Sequence, residues 1–157
     1  MAGALPQTET RRRDPLSPAA RSERMSRVRA VDTGPEWTVR RLLHRLGFRY
    51  AIHVADLPGR PDIVFRSRRK AVFVHGCFWH RHAAKSCKLA RLPKSRLDFW
   101  LPKLERNHER DREALAALRE LGWSALVVWE CELRDSGGRA RDLTRVERRL
   151  CRFLENP

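Results

Sequence analysis

The stretch LPGRPDIVF, residues 57–65, followed by AVFVHGCFWHRH, residues 71–82, decides how this chain folds. Leu57-Pro58-Gly59-Arg60-Pro61 is a turn, because its prolines fix φ and its glycine tolerates a positive one. Asp62-Ile63-Val64-Phe65 and Ala71-Val72-Phe73-Val74 are short apolar runs on either side of a basic turn, Arg66 to Lys70. Runs of that kind are strands buried on both faces. If the two pair antiparallel, Asp62 and Val74-His75 come level at one end of the sheet.

Upstream, Asp32 or Thr33 can cap a helix that has Pro35 and Glu36 in its first turn. Val39, Leu42, Leu43 and Leu46 follow helical spacing within it, and Gly47 stops it. Phe48, Tyr50 and Ile52 then alternate as a strand does. Downstream, residues 75–102 read as irregular. A helix is expected from about Lys103 to Leu121, with Leu104, Leu115, Leu118 and Leu121 on its apolar face and Gly122 at its end. Trp123 to Trp129 is another strand, Ser136-Gly137-Gly138 a break, and Asp142 to Leu154 a closing amphipathic helix. The solution for this order is an α/β fold, a small central sheet flanked by helices.

The chain has 157 residues, which suits one folded domain. Lys and Arg number 34 against 19 Asp and Glu, a net charge of +15 that favours a phosphate-bearing partner. Residues 1–30 carry Pro6, Pro15, Pro18 and the run Arg11-Arg12-Arg13. They read as a flexible basic arm, either tracking DNA in its second half or merely solubilising. Residues 31–157 make the folded domain. No stretch approaches the ~20 apolar residues that span a bilayer, and the N-terminus has no apolar run after its charges. A cytoplasmic location is expected, where the four cysteines are thiols or metal ligands.

Three clusters carry chemistry. Cys77, His82 and Cys87 follow the spacing C-x4-H-x4-C in a polar loop, and Cys131 lies at a strand end. Three thiolates and an imidazole are a structural zinc set that would pin an irregular loop. On local grounds Cys151 competes with Cys131, although its place beside Leu150 suits packing. Asp62, His75 and His80 form the second cluster. A carboxylate oxygen beside imidazoles suits Mg²⁺-assisted attack of water on phosphate. The plainer reading of Asp62 alone is a turn-stabilising carboxylate. The third is Phe78-Trp79 with Phe99-Trp100 amid Arg91, Lys94, Arg96 and Lys103. Such aromatics either wedge into a base stack or cover the zinc loop as a small core.

LPGRPDIVF (57–65), AVFVHGCFWHRH (71–82), LPKSRLDFWLPKLERNHERD (92–111) and ELGWSALVVWECELR (120–134) resemble the very-short-patch (Vsr) DNA mismatch repair endonucleases. ARSERMSRVRAVDTGPE (20–36) is similar to that family's arm and first helix. The resemblance implies a restriction-endonuclease-like fold related to the PD-(D/E)XK nucleases, with a mixed sheet and a zinc-pinned loop. Phe73-Val74-His75 stands where the E-x-K part of that nuclease signature would be. The implied activity is Mg²⁺-dependent nicking of one strand of double-stranded DNA, 5′ of the T in a T:G mismatch. The resemblance makes Asp62 the metal-binding aspartate, with the Val74 backbone carbonyl also reaching Mg²⁺. It makes His75 and His80 catalytic, His80 the proton acceptor, and Glu36 a supporting carboxylate. It assigns Cys77, His82, Cys87 and Cys131 to zinc. Phe78, Trp79 and Trp100 become the wedge, Met25 and Val28 the arm contacts, and Lys103 and Asn107 the base contacts. A monomer linked in function to a cytosine-5 DNA methyltransferase is implied as well. The alternatives are a zinc-stabilised DNA-binding module without catalysis, and a restriction-type nuclease with another target.

Overall fold

The computed structural model describes residues 31–156, together with Ser17, Ala19, Ala20 and Glu23. Met25, Val28 and, apart from those just named, the other residues of the expected arm (1–30) lie outside the described residues.

Helix α1 spans Gly34–Arg45. Of the two candidate caps the structure selects Thr33. Its hydroxyl accepts from the Glu36 N–H while the Glu36 carboxylate accepts from the Thr33 N–H, a reciprocal capping box. The strands are β1 (Ile63–Phe65), β2 (Lys70–His75) and β3 (Ser124–Trp129), in spatial order β1-β2-β3. β1 pairs antiparallel with β2, with Ile63 opposite Val72, so Asp62 comes level with Phe73. β2 pairs parallel with β3 from Lys70↔Ser124 to His75↔Trp129. A parallel neighbour requires a crossover, and helix α2 (Leu97–Glu120) supplies it. A short helix α3 (Glu130–Leu133) follows β3 directly, and α4 (Thr144–Glu155) closes the chain.

Strand alternation sends Ile63, Phe65, Val72 and Val74 to one face, against Val39, Leu42 and Leu43 of α1 and Val146, Leu150 and Leu154 of α4. Val64, Ala71 and Phe73 meet Leu118 of α2 on the other face, with Val54 and Leu57. The sheet is therefore covered on both sides, as its unbroken apolar runs predict. Leu42, Leu43, Leu118, Leu150 and Leu154 are essentially fully buried, and each contributes roughly 1.5–3 kcal/mol by leaving water.

Three expectations need correction, and one short helix was not expected. Phe48–Ile52 is not a strand, since its only pairing among the described residues is the bridge Ala51↔Val64. Phe48 and Tyr50 pack edge-on against Phe65, and His53, at φ 55, turns the chain away. α2 starts at Leu97 rather than Lys103 and holds Pro102 inside it. That proline forfeits one backbone bond near the exposed end of the helix, a tolerable loss. Leu121 caps α2 and is exposed. α3 went unread because four residues are too few for a periodic signal.

Candidate active site and metal centre

The end of β2, the turn before β1, the start of α1 and the middle of α2 enclose an open cavity of about 1140 Å³. Glu36, Asp62, Val74, His75, His80 and Asp111 line it, with Trp79 and Asn107 at one wall. Asp62 Oδ2 accepts the Val74 N–H at 2.6 Å. Burial pushes the Asp62 carboxyl up to about 6; the Val74 bond opposes this, nearby Glu36 adds to it, and Arg40 and His80 oppose it. Oδ1 accepts no hydrogen bond among the described residues. An under-compensated carboxylate with a free oxygen fits a hard divalent cation.

His75 is buried at 6% exposure on the last position of β2. Burial pushes its pKa down to about 4, with His80 adding to the fall and Asp111 opposing it. It is neutral at physiological pH. Its ring stacks on His80 with centroids 3.9 Å apart and planes 9° from parallel. His80 Nδ1 lies 2.6 Å from Asp111 Oδ2. A carboxylate there makes Nδ1 the protonated nitrogen and leaves Nε2 as the basic one. Asp111 is the residue of this candidate site that sequence reasoning missed. The available signal was the run Lys103, Asn107, Asp111, one residue per turn on one face of α2. His75, His80 and Asp111 have their donor atoms within 4.8 Å of one another, and Asp62 stands outside that trio in the same cavity.

Glu36 is a brace in this arrangement. Its Oε1 accepts from the Thr33 hydroxyl at 2.8 Å, and its Oε2 from the Asp32 N–H at 2.9 Å and Arg40 Nη2 at 3.0 Å. Both oxygens are engaged in anchoring the start of α1.

Cys77, His82, Cys87 and Cys131 converge, with all donor atoms within 4.8 Å of one another. The Cys131 N–H reaches Cys77 Sγ at 3.4 Å, and Cys131 Sγ lies 3.4 Å from His82 Nδ1. Burial pushes the Cys77 and Cys131 thiols up from their ordinary values. A cation would offset that cost, so the set could hold a metal ion. Cys151 sits on α4 outside the cluster. The two centres share a wall: His82 stacks on Trp129 at 4.2 Å, and Trp129 packs edge-on to His75 at 5.3 Å.

Phe78, Trp79, Phe99 and Trp100 form an edge-to-face group with centroids 5.1–5.9 Å apart. Lys103 Nζ lies 5.7 Å from the Trp79 ring and 5.9 Å from that of Trp100. Phe99 is 46% exposed and the other three rings partly so, unlike a closed satellite core. Asn107 Nδ2 donates to the Trp79 carbonyl at 3.3 Å.

The family model for the DNA mismatch endonuclease Vsr matches residues 13–87. The DNA mismatch endonuclease Vsr of Escherichia coli is 45% identical over 116 residues, 74% of this chain and 72% of that protein. The chain belongs to the Vsr family of DNA mismatch endonucleases. Two further relatives carry the name of type II nicking enzymes. V.XorIIP of Xanthomonas oryzae pv. oryzae is 55% identical over 79% of this chain and 89% of its own. V.NmeAIP of Neisseria meningitidis is 39% identical over 87% and 96%. As a Vsr-family member the chain is a DNA endonuclease, a hydrolase, which overturns the alternative of a DNA-binding module without catalysis. Among the described residues, no helix is long and apolar enough to cross a membrane.

Proposed function

We propose that this Vsr-family chain nicks one strand of duplex DNA 5′ of the T in a T:G mismatch, with Mg²⁺ in the catalytic cavity and zinc on the cysteine cluster. The observation that carries this reading is the meeting of Asp62, His75, His80 and Asp111 in one cavity. Asp62 and the Val74 backbone carbonyl would hold Mg²⁺, and the ion would supply positive charge beside the scissile phosphate. His80 Nε2 takes the proton of the attacking water, and Asp111 steadies the imidazolium that forms. His75 stays neutral, which spares His80 a like charge at stacking distance. Glu36, held by Arg40, fixes the helix that walls the cavity.

Cys77, His82, Cys87 and Cys131 would hold zinc, and the donor set of three thiols and one imidazole suits it. Phe78, Trp79 and Trp100 enter the stack beside the mismatch, Met25 and Val28 press from the minor groove, and Lys103 and Asn107 read base edges. A wobble pair costs less to unstack than a matched one, so deformation contributes to the choice. A T opposite G is what deamination of a methylated cytosine leaves, so a cytosine-5 DNA methyltransferase is the fitting functional companion. The layered mixed sheet supports a restriction-endonuclease-like fold, and the monomer is the working unit in the cytoplasm.

The test is a nicking assay on matched and T:G duplexes with Mg²⁺, followed by sequencing of the cut end. We expect a single cut 5′ of the mispaired T. Equal cutting of both duplexes defeats the specificity, and a cut elsewhere favours a nuclease with another target.

A further inference from the structure

The catalytic cavity is lined by five carboxylates, those of Asp32, Glu36, Asp62, Asp111 and Glu130, so a phosphodiester entering it meets predominantly negative charge. The arginines that line the same cavity are Arg60, Arg110 and Arg134. Two of them are committed. Arg110 Nη2 donates to Asn107 Oδ1 at 2.7 Å, and Arg134 Nε donates to Glu130 Oε1 at 2.8 Å. The exposed guanidinium of Arg60 makes no hydrogen bond or ion pair among the described residues. It does not serve Asp62, whose charged neighbours are Glu36, Arg40 and His80.

The backbone beneath Arg60 is held in a left-handed conformation, φ 49, that a side chain rarely adopts. The turn cannot relax it. Gly59, at φ +73, lies so close to α2 that a Cβ there would stand 2.6 Å from Ala114 Cβ and 3.2 Å from Phe73 Cε1. On the other side Pro61 is buried. A glycine at position 60 would adopt the same φ without strain. The chain instead carries a long cation there, two residues before Asp62. Strain kept where a smaller residue would remove it points to a task for the side chain.

We propose that Arg60 binds a backbone phosphate of the strand to be cut, at the mouth of the cavity beside Asp62. The proposal rests on the reading that this cavity receives the DNA strand. A guanidinium forks onto two phosphate oxygens. A rigid mount holds it ready without loss of chain freedom on binding. A backbone contact carries no sequence information, so Arg60 acts alike on every duplex.

The experiment uses the full-length chain and its variants Arg60→Gly and Arg60→Lys, without added divalent metal. Binding to T:G and matched duplexes is followed by fluorescence anisotropy across a salt series, beside thermal unfolding. Arg60→Gly is expected to unfold at the wild-type temperature or above and to bind both duplexes about tenfold more weakly. Its slope of log K against log salt should be shallower by about 0.9, one phosphate contact fewer. Arg60→Lys should recover much of the affinity and the full slope. Unchanged affinity and slope in Arg60→Gly overturn the proposal. So does a loss confined to the T:G duplex at unchanged slope, which marks a base contact. If instead the wild type fails to prefer T:G in the nicking assay, the proposed function falls while this salt slope still reports on Arg60.

Discussion

Asp62 and His75 line one cavity and are shifted in opposite directions by burial. Asp62 titrates at about 6 in the fold and near 3.9 in an unfolded chain, so between those values the folded state binds more protons. Stability contributed by Asp62 therefore falls as pH rises through that window, and the ionised group costs about 2–3 kcal/mol above it. His75 titrates at about 4 in the fold and near 6.5 unfolded, so there the unfolded chain binds more protons and stability rises with pH. The two slopes oppose each other. We expect Asp62→Asn, without metal, to gain about 2 kcal/mol at pH 8 and nothing at pH 4. Its stability should climb from pH 4 to 6.5 where the wild type stays flatter, as denaturant unfolding at each pH will show. The same variant should not nick. A second prediction concerns Asp111. Asp111→Asn releases His80 Nδ1 from its carboxylate and lowers the rate by two to four orders of magnitude, in the range seen when a histidine loses its orienting carboxylate. Single-turnover nicking measures this, and duplex affinity should hold. A fall in affinity with an unchanged rate would remove Asp111 from the mechanism.

At the scale of elements, the turn Leu57–Pro61 and helix α2 are fitted to each other. Gly59→Ala would place a methyl 2.6 Å from Ala114 Cβ on a positive φ, and neither the backbone nor α2 can yield cheaply. We expect a loss of about 2–4 kcal/mol in chemical denaturation, from overpacking and strain together. The opposite end of the sheet has its own lock. Lys70 is buried, and its ammonium reaches the Leu154 carbonyl at 3.4 Å and that of Asn156. Arg68 Nη1 joins it on Leu154 at 2.9 Å. Two cations thus satisfy the orphan carbonyls where α4 ends. Most of these elements were legible. Thr33 with Glu36 announced the start of α1, and the apolar runs announced β1, β2 and β3. Phe48, Tyr50 and Ile52 alternate like a strand, but alternation reports which side chains are covered, not whether a neighbouring edge has room to pair. The expected start near Lys103 falls short of Leu97 because local sequence cannot weigh the backbone bond lost at Pro102 against the packing of Leu104.

At the scale of the molecule, the cysteine cluster and the cavity that Asp62 and His75 line share a wall, Trp129 standing between His82 and His75. His80 lies between Cys77 and His82 in the chain, so whatever fixes those two side chains also fixes the His80 imidazole. Removing the metal from the cysteine cluster should therefore lower stability and nicking together, and added Mg²⁺ alone should not restore either. Cys87→Ser should lose bound zinc by elemental analysis, whereas Cys151→Ser should keep it and change stability by no more than about 0.5 kcal/mol. Zinc retained by Cys87→Ser would remove that residue from the ligand set.

By itself the sequence determined the α/β class, the strand that Asp62 precedes and the strand that His75 ends, the candidate metal donors, the aromatic rim and the strong positive charge. Each is written in composition or in spacing a few residues long, which local chemistry reads directly. The family resemblance then chose Cys131 over Cys151, and in the fold the Cys131 thiol lies with Cys77, His82 and Cys87. Only the tertiary structure decided that His80 leans on Asp111, 31 residues away, that burial pushes the His75 pKa down, and that Arg60 lines the cavity with a guanidinium unpaired among the described residues. Those properties depend on distance and burial between segments far apart in the chain. Such distances exist only once the sheet is assembled and α2 has crossed over it.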